Sequence, residues 1–166
     1  MTDSRASNSF AARGGAWVMV QSILMLAVIL LGVVFHGDWT RTPLIVAGAV
    51  LFVVGGYFGI AGVLVLGKNR TPFPQPRDGS ELVQHGIYAR VRHPLYTSVM
   101  LASFGWALIW QSSPSFLVAL ALISFFRAKA KNEERWLCEK FPGYTDYARR
   151  VPRFIPRLGP RPKVCL

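Results

Sequence analysis

Residues 94–126 read PLYTSVMLASFGWALIWQSSPSFLVALALISFF, 33 residues without a formal charge. The run opens on Pro94 and is interrupted once, by Gln111-Ser112-Ser113-Pro114-Ser115. Two complete membrane spans and a turn need more than about 40 residues, at roughly 20 per span. A single span would leave the polar turn in lipid, where nothing satisfies its backbone. A short helical hairpin resolves the conflict. Its first arm is expected from about Leu95 to Trp110. Its second arm is expected to start near Pro114, with Ser113 ahead of it, and to continue past Phe126 as a charged helix to about Lys140. Glu133 lies 18 residues after Ser115, about 27 Å of helix rise. That returns Glu133 and Glu134 to the membrane face where His93 begins the hairpin.

Two more uncharged runs precede the hairpin, 22 residues from Gly14 to Phe35 and 26 from Thr42 to Gly67. Each is long enough to span a bilayer. Trp17, His36 and Trp39 sit at the ends of the first, as interface aromatics do. No small-residue cleavage site follows it, so it is expected to be a retained anchor, not a signal peptide. In the second, Gly48, Gly55, Gly59 and Gly62 fall near one helical face, which predicts close helix packing; room for a ligand is the alternative. The segment from Lys68 to Arg92 is polar, and its Thr71-Pro72-Phe73-Pro74-Gln75-Pro76 stretch is expected to be an extended loop along the membrane surface.

Composition agrees with a membrane protein. The chain is 52% hydrophobic and 16% charged, against about 25% charged in a soluble domain, and its mean hydropathy is +0.34. The net charge of +11 does not mark a nucleic-acid protein, because the basic residues flank apolar runs. Cys138 and Cys165 have neither a CxxC partner nor a neighbouring ligand histidine, so neither a metal site nor a disulfide is expected. Cys165 does not fit a prenylation box. The chain is expected to divide into a polar N-terminal segment (1–16), two transmembrane helices (17–66) and a region of surface loop, helical hairpin, charged helix and tail (67–166). With four spans, 18 of the 19 Lys and Arg fall on one side. That predicts both termini in the cytoplasm, in a bacterial-type inner membrane or its equivalent. The expected fold is all-α integral membrane, with the last helix extending into the cytoplasm before a short C-terminal segment.

Three clusters then converge on the cytoplasmic face. Gly86-Ile87-Tyr88-Ala89-Arg90-Val91-Arg92-His93-Pro94-Leu95-Tyr96 opens the hairpin, Glu133-Glu134 lies on its far arm, and Phe141, Tyr144, Tyr147 and Val151-Pro152-Arg153-Phe154-Ile155-Pro156 follow. The helix start at Pro94 offers N–H groups to an anion, with Arg92 and His93 adding donors. Glu133 and Glu134 supply acceptors for ammonium or ribose hydroxyls. Tyr88, Tyr96, Tyr144 and Tyr147 offer flat surfaces to a purine or a cation. Such a pocket suits a zwitterionic nucleoside bearing a positive charge.

The stretch from Gly86 to Tyr96, the Glu133-Glu134-Arg135-Trp136-Leu137 element and the tail to Pro156 resemble integral-membrane methyltransferases of the isoprenylcysteine carboxyl methyltransferase and phospholipid N-methyltransferase group. The resemblance covers about residues 80–157; Ser98 and Pro142-Gly143 depart mildly from the pattern. It implies S-adenosyl-L-methionine as cofactor, bound by Tyr88, Arg92, His93, Pro94, Tyr96, Glu133 and Glu134. A carboxylate acceptor needs no base at neutral pH, whereas a thiol or amine does; Glu133, Glu134 and His93 are the candidates for that role. Arg150 and Arg153 are candidates to orient an acceptor carboxylate or phosphate. The expected partners are membrane lipids and a lipid-like or small hydrophobic acceptor. Carboxylate O-methylation is favoured, with N- or S-methylation as the alternative. An NADPH-dependent membrane reductase is disfavoured, because no acid follows Tyr96 within Thr97-Ser98-Val99-Met100. A non-catalytic membrane protein is the remaining alternative.

Overall fold

A computed structural model describes residues 14–39, 41–67, 79 and 81–156. The expected surface loop through Thr71–Pro76, the first 13 residues, Arg157 and Cys165 lie outside the described residues. Five α-helices and one 3-10 turn make up the regular structure among the described residues. They are α1 (Gly15–Val34), α2 (Thr42–Leu66), the 3-10 turn (Gly86–Ala89), α3 (Pro94–Ile109), α4 (Ser113–Lys140) and α5 (Tyr144–Arg150).

The hairpin read from residues 94–126 is α3 and α4. Its turn is tighter than expected. Ser112 caps α4, its hydroxyl accepting from the Ser115 N–H, so Ser113 is already helical. The shift by one residue has a cause in the neighbouring helix. Ser112 Oγ donates to the Leu31 carbonyl at 2.9 Å and Ser115 Oγ to the Val28 carbonyl at 2.8 Å, so both hydroxyls are spent on α1. The loop after α1 meets the same turn. Gly37 and Asp38 N–H groups donate to the Trp110 and Gln111 carbonyls, and the Asp38 carboxylate caps the Ser113 N–H at 2.9 Å. The two connections expected on the far face of the membrane therefore form one hydrogen-bonded end of the bundle.

The glycine face of α2 packs against α3. A Cβ on Gly48 would stand 2.8 Å from the Gly105 carbonyl oxygen, and one on Gly55 2.9 Å from that of Ser98. Close packing, and not a ligand, accounts for these glycines. On the other side, Val28 of α1 packs with Met100, Leu122 and Phe126. Helices α1, α2 and α4 are long and apolar enough to cross a membrane. The chain is an integral membrane protein. Helix α3 has 16 residues, about 24 Å of rise, shorter than those three.

Candidate active site

At the opposite end of the bundle, α3, α4 and the tail bring the expected clusters together. Glu134 is the hub. Its Oε1 accepts from His93 Nε2 at 3.0 Å and from Arg153 Nε at 2.9 Å, and stands 3.0 Å from Arg92 Nη1. Arg153 Nη2 donates to its other oxygen. Glu134 lies two turns beyond Phe126, past the uncharged part of α4. Burial alone would raise its pKa, but hydrogen bonds from His93 and Arg153 and the charge of Arg92 win, and hold it at about 2.

Glu133 is more open, with a side chain 24% exposed against 11% for Glu134. Its Oε2 accepts from the Tyr96 hydroxyl at 2.6 Å and lies 3.6 Å from His93 Nδ1. The His93 ring stacks on Tyr96, with centroids 5.2 Å apart and planes 3° from parallel, and Tyr96 continues the stack onto Phe126 at 4.8 Å. Spacing explains the geometry: Pro94 starts α3, so Tyr96 leaves its first turn beside the His93 cap.

The tail locks the motif in place. The Arg92 N–H donates to the Pro152 carbonyl at 2.9 Å, the His93 N–H to that of Arg153 at 3.1 Å, and Thr97 Oγ1 to that of Phe154 at 2.9 Å. The N–H groups of Arg92 and His93, just ahead of the helix start proposed to meet an anion, are thus occupied. Tyr144 and Tyr147 are not open ring faces either. Both are buried in a core with Leu82, Leu137 and Val151, and the Tyr147 hydroxyl donates to the Tyr88 carbonyl at 2.7 Å. They fasten α5 to the 3-10 turn. Tyr88 itself is buried near Glu133; burial, then that carboxylate, push its phenol above the usual range. Pro94 is fully buried and faces Gly62 of α2.

Arg150 stands apart. It is exposed, and its Nε donates to the Asp146 carbonyl one turn back. Arg153 is in the cluster, but two of its nitrogens are committed to Glu134. Sequence reasoning missed Lys129. Its neighbours Arg127 and Lys131 on α4 are exposed, whereas Lys129 is buried. Its spacing of four residues before Glu133 is the signal that could have found it.

The donors and acceptors fit a nucleoside sulfonium with amino-acid ends. Glu133 offers a partly exposed carboxylate, and Arg92 Nε and the Tyr144 hydroxyl are buried donors without a hydrogen-bond partner among the described residues. Among the described residues no group of three or more His, Cys, Asp or Glu could hold a metal ion.

Membrane-length helices carrying a buried Arg–His–Glu cluster at one end, closed by an aromatic tail, define an integral-membrane protein with an ionic cluster at one end of its helix bundle. The chain belongs to the phospholipid methyltransferase family of membrane methyltransferases, which residues 43–143 match. It is 32% identical over 89% of its length to the nickel-cobalt-cadmium resistance protein NccN of Alcaligenes xylosoxydans xylosoxydans, spanning 66% of that protein. It is 31% identical over 94% of its length to the cobalt-zinc-cadmium resistance protein CzcN of Cupriavidus metallidurans, spanning 70% of it. It is also 32% identical over 67% of its length to the protein-S-isoprenylcysteine O-methyltransferase of Dictyostelium discoideum, spanning 48% of it.

Proposed function

We propose that this chain is an S-adenosyl-L-methionine-dependent methyltransferase acting at the cytoplasmic membrane surface on a lipid-like or isoprenylated acceptor, favouring a carboxylate. The observation that carries the reading is the division of labour between adjacent carboxylates. Glu134 is fully engaged by Arg92, His93 and Arg153, while Glu133, held by Tyr96, keeps a partly exposed carboxylate. That is the arrangement a cationic ligand needs: one acid builds the wall and the other meets the ligand. The cofactor supplies an electrophilic methyl group. Glu133 would receive its ammonium or ribose hydroxyls, Arg92 and Tyr144 its carboxylate, and the His93–Tyr96 stack a flat or cationic part.

Transfer to an ionised carboxylate requires alignment but no base, so positioning provides most of the acceleration. The outer edge of Arg153, on a side chain 36% exposed, is suited to orient the acceptor's anionic group. In this reading α3 completes a fourth span with α1, α2 and α4, both termini face the cytoplasm, and the acceptor enters from the bilayer between helices. The partial exposure of Glu133 also supports a second reading, N- or S-methylation of a phospholipid or small acceptor, in which that carboxylate takes the acceptor's proton.

Calorimetric titration with S-adenosylhomocysteine tests the cofactor assignment. Wild type is expected to bind, and Glu133→Gln to bind at least tenfold more weakly while keeping the wild-type melting temperature within a few degrees. Undiminished affinity in Glu133→Gln would remove that residue from the site.

A further inference from the structure

Lys129 belongs to none of the motifs, yet it is 1% exposed and lies beside the site. Its Nζ donates to Oε1 of Gln21 on α1 and stands 5.3 Å from the centroid of the Tyr96 ring. That same ring carries the hydroxyl that donates to Glu133 at 2.6 Å. Lys129 is also one helical turn before Glu133, on the same face of α4. Gln21 is one of only two polar side chains in α1. The other, Ser22, is spent on its own helix, donating to the Val18 carbonyl. An ammonium is costly to bury unless hydrogen-bonded and set against opposite charge or an aromatic face, and here the amide and the ring meet that need. Closing α1 on α4 does not require it, because Val28, Ser112 and Ser115 already join those helices.

We propose that Lys129, held by Gln21, is a positioning residue for the Tyr96–Glu133 pair, so that α1 becomes part of the ligand site. The ammonium fixes the Tyr96 ring and makes its hydroxyl a stronger donor; the hydroxyl in turn fixes the carboxylate of Glu133. The inference rests on the methyl-donor reading, and deepens it by naming how a helix outside the motifs acts on the cofactor pocket.

The test is the Kd of the full chain for S-adenosylhomocysteine in detergent micelles, measured with the melting temperature of the ligand-free protein. Lys129→Met is expected to raise Kd at least tenfold, Lys129→Arg to stay within threefold of wild type, and Gln21→Ala to fall between them. A lowered melting temperature with wild-type Kd in both Lys129→Met and Gln21→Ala would mean a merely structural contact and overturn the proposal. Should Lys129→Met not fold, Gln21→Ala decides: a Kd raised threefold or more supports the proposal, and a wild-type Kd overturns it. Absence of binding by wild type overturns both this inference and the methyl-donor reading, whereas wild-type binding left intact by the variants overturns this inference alone.

Discussion

Removing Glu134 should cost more than removing any other single polar side chain at the site. In Glu134→Ala, Arg92 and His93 keep side chains that are 11% and 5% exposed, without the carboxylate they face. Taking away one partner of a buried ionic cluster costs about 3–5 kcal/mol. The depressed pKa of the group, which arises from the same contacts, gives a figure of similar size. Its pKa falls from an ordinary 4.5 to about 2 in the folded protein, which is about 3 kcal/mol at roughly 1.4 kcal/mol per unit. Arg153 contributes to that shift from a side chain more than a third exposed, where solvent screens it, so about 3 kcal/mol is an upper figure. For a chain of this size each kcal/mol moves the melting temperature by about 2–4 °C, so the expected fall is about 6–20 °C. The pH dependence has a definite sign. Because the folded-state pKa is depressed, the contribution is complete above about pH 4.5 and is lost as pH falls toward 2. Thermal unfolding in detergent micelles, followed by circular dichroism at pH 7 and pH 3, measures both effects. A melting temperature within 2 °C of wild type at pH 7, or a gap that does not narrow at pH 3, would refute the reasoning.

Other outcomes follow from the packing. Gly48→Val places its Cβ 2.8 Å from the Gly105 carbonyl and should cost about 1–3 kcal/mol, whereas Gly56→Ala meets nothing within 4 Å and should stay within about 0.5 kcal/mol by thermal unfolding. Tyr147→Phe deprives the Tyr88 carbonyl of its donor and should destabilise by about 1–3 kcal/mol. Burial raises the phenols of Tyr144 and Tyr147 above 10, so the stability they hold below pH 10 should be lost as pH rises beyond it; tyrosinate absorbance from these residues should appear together with unfolding. Arg150→Ala, at an exposed position, should leave both S-adenosylhomocysteine affinity and melting temperature unchanged.

The hairpin was legible because length alone forbade the alternatives: 33 uncharged residues are too many for one span and too few for two with a turn. The glycine face of α2 was legible because small residues at helical spacing have one common use in lipid. The motif clusters also met as expected, since α4 is long enough to return Glu133 and Glu134 to His93. Roles within the cluster were not legible. Glu133 and Glu134 are adjacent and identical in kind, and only the rotation of α4 decides which one faces Arg92, His93 and Arg153. Arg150 and Arg153 read alike until α5 ends at Arg150, which leaves Arg150 in solvent and turns Arg153 inward beside Arg92. Tyr144 and Tyr147 looked like ligand-facing rings, because a sequence does not say which face of a seven-residue helix will be buried. Lys129 was not legible, for want of any sign that Gln21, 108 residues earlier in the chain, would meet it.

Membranes containing the full chain, incubated with S-adenosylmethionine labelled in its methyl group, test the central claim most directly. Transfer of label to an organic-extractable acceptor, abolished in His93→Ala and released as volatile methanol by mild base, is the predicted result. Label that resists base would move the account to N- or S-methylation. No transfer above membranes lacking the protein, or transfer that His93→Ala leaves intact, would contradict it.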